Sequence, residues 1–199
     1  QKLNICIVGV GFIGERHIDA IRRVPGARIV AVADDYTPKA IKQARLLGAR
    51  AYATVEELLE KEDLDVIHNC TPTNMHFKVN QAVIKAGKHL YCEKPLTLNV
   101  QEGEELAALL REHSVASGVN LNYRMNAMIQ DLHHRVKAQE MGRTFMVTAS
   151  YVQDWMAMQD DYDWRLDPEV GGTSRAVADI GSHLFDTSQY VLDKKITAV

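Results

Sequence analysis

This sequence lacks the patterns that a membrane span, a nucleic-acid binder or a metal protein would need. No apolar run approaches about 18 residues and no charged segment leads into an apolar one, so neither a spanning helix nor a retained signal peptide is expected. The formal net charge of -3 supplies no positive field for a phosphate backbone, and the scattered lysines and arginines read as solvated faces. No nucleic-acid partner and no membrane partner is expected. The three cysteines, Cys6, Cys70 and Cys92, have no CxxC spacing, and each lies in or beside a short apolar run, the pattern of small buried hydrophobes. An odd, sparse cysteine count suits a reducing compartment, so the expected location is cytoplasmic. His133-His134 and the other histidines show no ligand spacing with cysteine or acid, and no metal is expected. With 46% hydrophobic and 25% charged residues the composition excludes disorder and collagen-like repeats.

What is present is a glycine fingerprint in the right surroundings. Gly9-Val10-Gly11-Phe12-Ile13-Gly14 follows the apolar run Leu3 to Val8 and opens a helix-like segment, and Asp34 stands twenty positions after Gly14 at the end of a second apolar run, Arg28 to Ala33. The first glycine permits a tight strand-to-helix turn, the second lets backbone approach a pyrophosphate, and the third allows close packing of helix on strand. The helix N-terminus then faces the negative charge. Asp34 is placed to accept hydrogen bonds from the adenosine ribose hydroxyls, and its charge repels a 2'-phosphate, so NAD is favoured over NADP. Neighbouring Asp35, Tyr36 and Thr37 also shape the adenosine pocket, which keeps NADP open as the alternative cofactor.

Through residue 119 short apolar strands alternate with amphipathic helices, the pattern of successive βαβ units and a parallel sheet. Strands are expected at 66–69, 89–92 and 117–119, and a helix from about Met75 to Ala86 ended by Gly87. Thr54 to Glu57 and Asn99 to Glu102 resemble capping boxes. The first domain is placed at 1–120 and the beginning of a second at 121–199. In the second, a helix is expected near 128–138, a half-buried antiparallel strand at 144–152, a helix from about 179 to 191, and a strand stub at 196–199. One strand and a stub do not make a sheet, so this domain reads as unfinished.

Candidate chemistry falls at the ends of the expected strands. Cys70-Thr71-Pro72-Thr73-Asn74-Met75-His76 lies where ligands meet doubly wound sheets, and equally reads as a stiff loop with Asn74 capping the next helix. In Glu93-Lys94-Pro95 the ammonium is placed to donate to a substrate oxygen or the nicotinamide ribose; a surface ion pair is the alternative. Asp179 and His183 stand four apart on one helix face. A histidine there can take a hydroxyl proton while the carboxylate steadies the imidazolium; a helix cap and a core histidine are the alternative. Asp186 reads as structural.

Taken together, these segments, with Asn122-Tyr123-Arg124, Trp164-Arg165 and Asp179-Ile180-Gly181-Ser182-His183, resemble the Gfo/Idh/MocA oxidoreductases, in the same order and over nearly the whole chain. The resemblance implies an N-terminal Rossmann domain, a doubly wound parallel α/β sheet, followed by an α+β domain with an open, mostly antiparallel sheet that serves oligomerisation. It implies NAD or NADP as cofactor, a sugar, cyclitol or related polyol as substrate, and a homo-oligomer at full length. Lys94, Asp179 and His183 match the family's catalytic lysine, aspartate and histidine. By the same resemblance Gly9, Gly11, Phe12, Ile13, Gly14, Asp34, Thr71, Pro72, Thr73, Asn74, His76, Glu93, Lys94, Trp164 and Arg165 belong to the cofactor side. Tyr123, Gln153, Trp155 and His183 belong to the substrate side, with the core as the alternative place for Trp155. The implied reaction is oxidation of a secondary alcohol with hydride passing to nicotinamide. An NAD-dependent glycosidase using transient oxidation and a non-enzymatic dinucleotide-binding module are the other readings. Family members usually continue well past residue 199, completing the sheet that 144–152 begins.

Overall fold

Six short runs form strands, the two longest of them rich in β-branched and small apolar residues. The computed structural model describes residues 2–198. Two compact units divide between Asn120 and Leu121. In the first, β1 (Leu3–Val8), β2 (Ala27–Ala33), β3 (Arg50–Tyr52), β4 (Val66–Asn69), β5 (His89–Cys92) and β6 (Ser117–Val119) alternate with α1 (Phe12–Ile21), α2 (Thr37–Leu47), α3 (Val55–Lys61), α4 (Thr73–Lys85) and α5 (Val100–Glu112). All pairings are parallel, in the order β3-β2-β1-β4-β5-β6. The order of strand addition reverses between β1 and β4, which opens a crevice at the carboxyl ends of those strands.

Alternate residues of β1 feed opposite faces. Ile5 and Ile7 pack with Val10, Ile18, Ile21, Ala40 and Ala44, so α1 and α2 cover one face. Cys6 and Val8 pack with Leu58, Val83, Ile84 and Leu106, so α3, α4 and α5 cover the other. Covering both faces is what a parallel sheet requires. The cysteines are buried and unpaired within this core.

Local signals set the helix ends. The Thr54 hydroxyl accepts the Glu57 N–H at 3.2 Å and the Asn99 side chain accepts the Glu102 N–H at 2.9 Å, so both expected caps form. Helix α4 begins two residues earlier than its apolar pattern suggests. Pro72 is its cap, and Asn74 lies inside the first turn instead of capping it. A proline with φ of -60° is already set for helix entry and has no N–H to satisfy there.

The tightest place in the unit is the turn after β1. Gly9 has φ of +87°, and a Cβ on it would sit 2.6 Å from the Cys70 carbonyl oxygen; a Cβ on Gly14 would sit 2.1 Å from the Gly9 oxygen. Helix α1 therefore touches the turn with backbone alone.

In the second unit a 3-10 turn (Asn122–Met125) leads into α6 (Ala127–Lys137), and a second 3-10 turn (Trp164–Leu166) precedes the short α7 (Pro168–Gly171). A π-turn (Val177–Gly181) then runs into α8 (Ser182–Leu192). Helices α6 and α8 pack together, with His133 stacked on Tyr190. The strand expected at 144–152 does not form: these residues have no regular structure, and Phe145, Met146 and Val152 are exposed. A strand needs a neighbour for its peptide groups, and among the described residues of this unit no segment pairs with it. The stub fails for the same reason over 196–198, while Val199 lies outside the described residues. No helix among the described residues is long and apolar enough to cross a membrane.

These clearances predict opposite outcomes for two neighbouring glycines. Gly14→Ala should cost about 3 kcal/mol or more, the upper end of overpacking effects. A Cβ on Gly11 meets nothing nearer than the Lys39 ammonium at 3.8 Å, so Gly11→Ala should cost less than about 1 kcal/mol. Chemical denaturation of the two variants checks the contrast.

Candidate functional site

The glycine loop, Asp34, the Thr71 loop and Glu93-Lys94 follow the carboxyl ends of β1, β2, β4 and β5, so parallel pairing gathers them on one sheet edge. Asp34 accepts the Val10 N–H at 2.9 Å on one oxygen and the Tyr36 N–H at 3.0 Å on the other, which fastens the glycine loop to the end of β2. Gly11 caps α1 without a side-chain partner. The space above it is open on one side and bounded by the Lys39 ammonium. Phe12 and Ile13 open the helix there. Open room at a helix N-terminus, with first-turn N–H groups and a nearby cation, fits a pyrophosphate.

A second layer of hydrogen bonds holds the loops around this space. Asn69 accepts from the Thr71 N–H at 3.2 Å and hydroxyl at 2.7 Å, and donates to Asn80 at 2.8 Å. His76 is 1% exposed. Its Nδ1 lies 2.7 Å from the Pro95 carbonyl oxygen and its Nε2 2.9 Å from that of Thr71, so the imidazole lies between the two loops, and a neutral ring donates to one of the two carbonyls. Burial lowers its pKa more than the two carbonyls raise it. Its effect on the site passes through the loops it joins.

Glu93 is the centre of a buried polar cluster. One carboxylate oxygen accepts from His17 Nε2 at 2.9 Å and from the Asn120 amide at 2.5 Å; the other accepts the Lys94 N–H at 3.1 Å. The Tyr91 hydroxyl donates to the Asn120 carbonyl oxygen at 2.8 Å. Burial pushes the Glu93 carboxyl up, and the bonds from His17 and Asn120 outweigh it, leaving it below the usual range. A carboxylate can only accept, so His17 Nε2 carries a proton; its Nδ1 lies 2.8 Å from His68 Nδ1.

In the second unit the expected residues also meet. Tyr123 stacks on His183 with centroids 4.3 Å apart, and its hydroxyl bonds that of Tyr151. That bond, and burial after it, push the Tyr123 phenol up to about 12. Gln153 donates to the Tyr151 hydroxyl at 2.6 Å. Arg165 pairs with Asp163 at 2.9 Å and Asp179 at 3.3 Å, and its guanidinium lies over both Trp155 and Trp164. Asp179 stands in the π-turn and the buried His183 in the first turn of α8. Asp186 is buried against a fork of two bonds from Arg124, a structural pairing. Among the described residues no group of three or more His, Cys, Asp or Glu side chains is arranged to hold a metal.

The family model described as "Oxidoreductase family, NAD-binding Rossmann fold" matches residues 3–121, and that described as "GFO/IDH/MocA C-terminal domain" matches residues 129–199. The chain belongs to the Gfo/Idh/MocA oxidoreductase family. Among relatives, it is 26% identical to levoglucosan dehydrogenase of Pseudarthrobacter phenanthrenivorans over 96% of this chain and 52% of that protein. It is also 26% identical to the scyllo-inositol 2-dehydrogenase (NAD(+)) of Bacillus subtilis over 100% of this chain and 56% of that one. A structure of levoglucosan dehydrogenase in complex with NADH and levoglucosan superposes with a TM-score of 0.91 at 25% identity, covering 96% of this chain and 54% of the other. The chain thus spans about half the length of the relatives it matches.

The Gfo/Idh/MocA motifs do not include every residue that shapes these sites. His17, Asn120 and Lys39 escape motif reading. One signal was available: His17 lies on the same stripe of α1 as Gly14, Ile18 and Ile21, a polar residue where the pattern asks for an apolar one.

That cluster makes stability depend on pH. Burial first, and His17 second, pull the His68 pKa from 6.5 to about 4. Between these values the unfolded chain binds the extra proton, so the contribution is complete above about 6.5 and lost as pH falls toward 4. At about 1.4 kcal/mol per unit the window spans roughly 3 kcal/mol. Chemical denaturation from about pH 7 to 4.5 should show the wild type losing most of that amount relative to His68→Gln; equal losses would contradict the assignment.

Proposed function

We propose that the full-length protein oxidises a secondary alcohol of a sugar, cyclitol or related polyol, with NAD as hydride acceptor. The observation that carries the reading is the open, amide-lined N-terminus of α1 beside the Asp34 carboxylate, in a chain of this family. The relatives' substrates, levoglucosan and scyllo-inositol, support the substrate class.

Gly11, Phe12 and Ile13 would take the pyrophosphate on backbone N–H groups, and Asp34 the adenosine ribose. The Asp34 carboxylate makes two backbone contacts, and each oxygen has a second lone pair for a ribose hydroxyl. Its charge disfavours a 2'-phosphate, which selects NAD over NADP. Bound nicotinamide supplies a two-electron acceptor for the hydride. His183 takes the hydroxyl proton as the C–O bond gains double-bond character. Asp179 orients the reacting groups and stabilises the imidazolium. Lys94 donates a hydrogen bond to the reacting oxygen. Tyr123, Gln153 and Trp155 offer aromatic faces and an amide suited to a sugar ring.

Calorimetric titration of the full-length protein should show NAD bound at least about tenfold more tightly than NADP, and Asp34→Ala weakening NAD about tenfold, the value of a charge-assisted hydrogen bond. A panel of levoglucosan, inositols and free sugars should yield NADH. Lys94→Ala and His183→Ala should each lower kcat at least about 100-fold, with His183→Ala leaving NAD affinity within about twofold. A preference for NADP, or no NADH from any member of the panel, would contradict the proposal.

A further inference from the structure

The proposed reaction assigns no role to His17, although its ring lies between the dinucleotide helix and the proposed catalytic lysine. His17 stands one turn beyond Gly14 on the inward face of α1 and is 6% exposed. Its Nε2 meets Glu93, whose other oxygen holds the backbone N–H of Lys94. On the far side of Lys94, the Pro95 carbonyl oxygen lies 2.7 Å from His76 Nδ1. Buried histidines thus stand on both sides of Lys94, one reaching the Glu93 side chain from α1 and one lying against Pro95 from α4. The second donor to Glu93 is Asn120, itself tied to β5 through the Tyr91 hydroxyl and through its own N–H on the Cys92 oxygen.

We propose that His17 is a positioning residue: by donating to Glu93 it fixes the backbone of Lys94 relative to the helix that faces the pyrophosphate. This rests on the reading of Lys94 given under Proposed function. A lysine side chain has four rotatable bonds and a strongly hydrated head, so it places its ammonium well only from a fixed backbone. Stability alone gives little reason for the arrangement, since apolar residues of similar volume pack at least as well as a buried charged cluster. What the cluster adds is a defined distance between α1 and the Lys94 backbone. His68 completes it, its Nδ1 lying 2.8 Å from His17 Nδ1.

The test uses the full-length protein and compares His17→Leu, which removes the donor, with His17→Gln, whose amide can reach the same oxygen. One readout needs no substrate: hydrogen exchange at the Lys94 amide should speed at least about tenfold in His17→Leu. With NAD and the best substrate of the panel, kcat should fall at least about tenfold in His17→Leu, with NAD affinity and KM within about twofold. His17→Gln should recover to within about threefold of wild type on both readouts. If His17→Leu does not fold, the isosteric Glu93→Gln replaces it, with the same expected losses. Wild-type kcat in either variant overturns the proposal, as does a loss confined to NAD affinity or KM, or one that glutamine at 17 leaves unrecovered. Lys94→Ala, run in parallel, separates the two readings. Full turnover in Lys94→Ala, or none from the wild type on any substrate, overturns the role of Lys94 itself, whereas a collapsed Lys94→Ala beside an unaffected His17→Leu overturns the positioning role alone.

Discussion

At two points after β1, one in the turn and one in α1, the backbone approaches its neighbours so closely that only hydrogen fits, and the geometry of the glycine turn and of α1 follows from that contact. Gly14 rests on the Gly9 carbonyl, and Gly9 on the peptide that leaves β4. The close approach aims the helix N-terminus at the edge of the sheet, where unsatisfied N–H groups attract an anion. It also turns His17 and Ile18 toward the interior, one into the polar cluster and one into the apolar core. Asp34 closes the loop from the β2 side with a bond to Val10.

Polar groups buried along the carboxyl edge are the second constraint. A buried carboxylate is tolerable only when donors surround it, and Glu93 has three, from α1, from the residue after β6 and from its own neighbour. On the Thr71 loop, Asn69 accepts from the Thr71 hydroxyl and His76 Nε2 lies 2.9 Å from the Thr71 carbonyl oxygen. The edge is thus held by side chains that do not face the open space, while Gly11 and Thr71 stand at its surface. In the second unit Arg165 has a comparable part, gathering Asp163, Asp179 and two tryptophans around one guanidinium.

Where sequence reading succeeded, the signals were local. Strands at 66–69, 89–92 and 117–119 are short apolar runs bounded by breakers, and both asparagine and threonine caps act within their own turn. The stretch 144–152 shows the limit of such signals, since alternation records a preference for a sheet and pairing needs a neighbouring strand. The candidate site was legible where chemistry follows a strand end: the glycine loop, Asp34, the Thr71 loop and Lys94 all gather on one edge. Partnerships across many positions in the chain left no such trace. Nothing adjacent to Glu93 announces His17 or Asn120, and nothing near Tyr123 announces Tyr151. The parallel order β1-β4-β5-β6 brings the first set together, and only the folded topology contains that information.

The proposed function places a dinucleotide's pyrophosphate at the N-terminus of α1. Crystallography of the full-length protein grown with NADH tests it most directly. The pyrophosphate should lie over Gly11, within hydrogen-bond reach of the Phe12 and Ile13 amides, with the adenosine ribose on Asp34. A dinucleotide bound away from α1, or a ribose turned away from Asp34, would contradict the account.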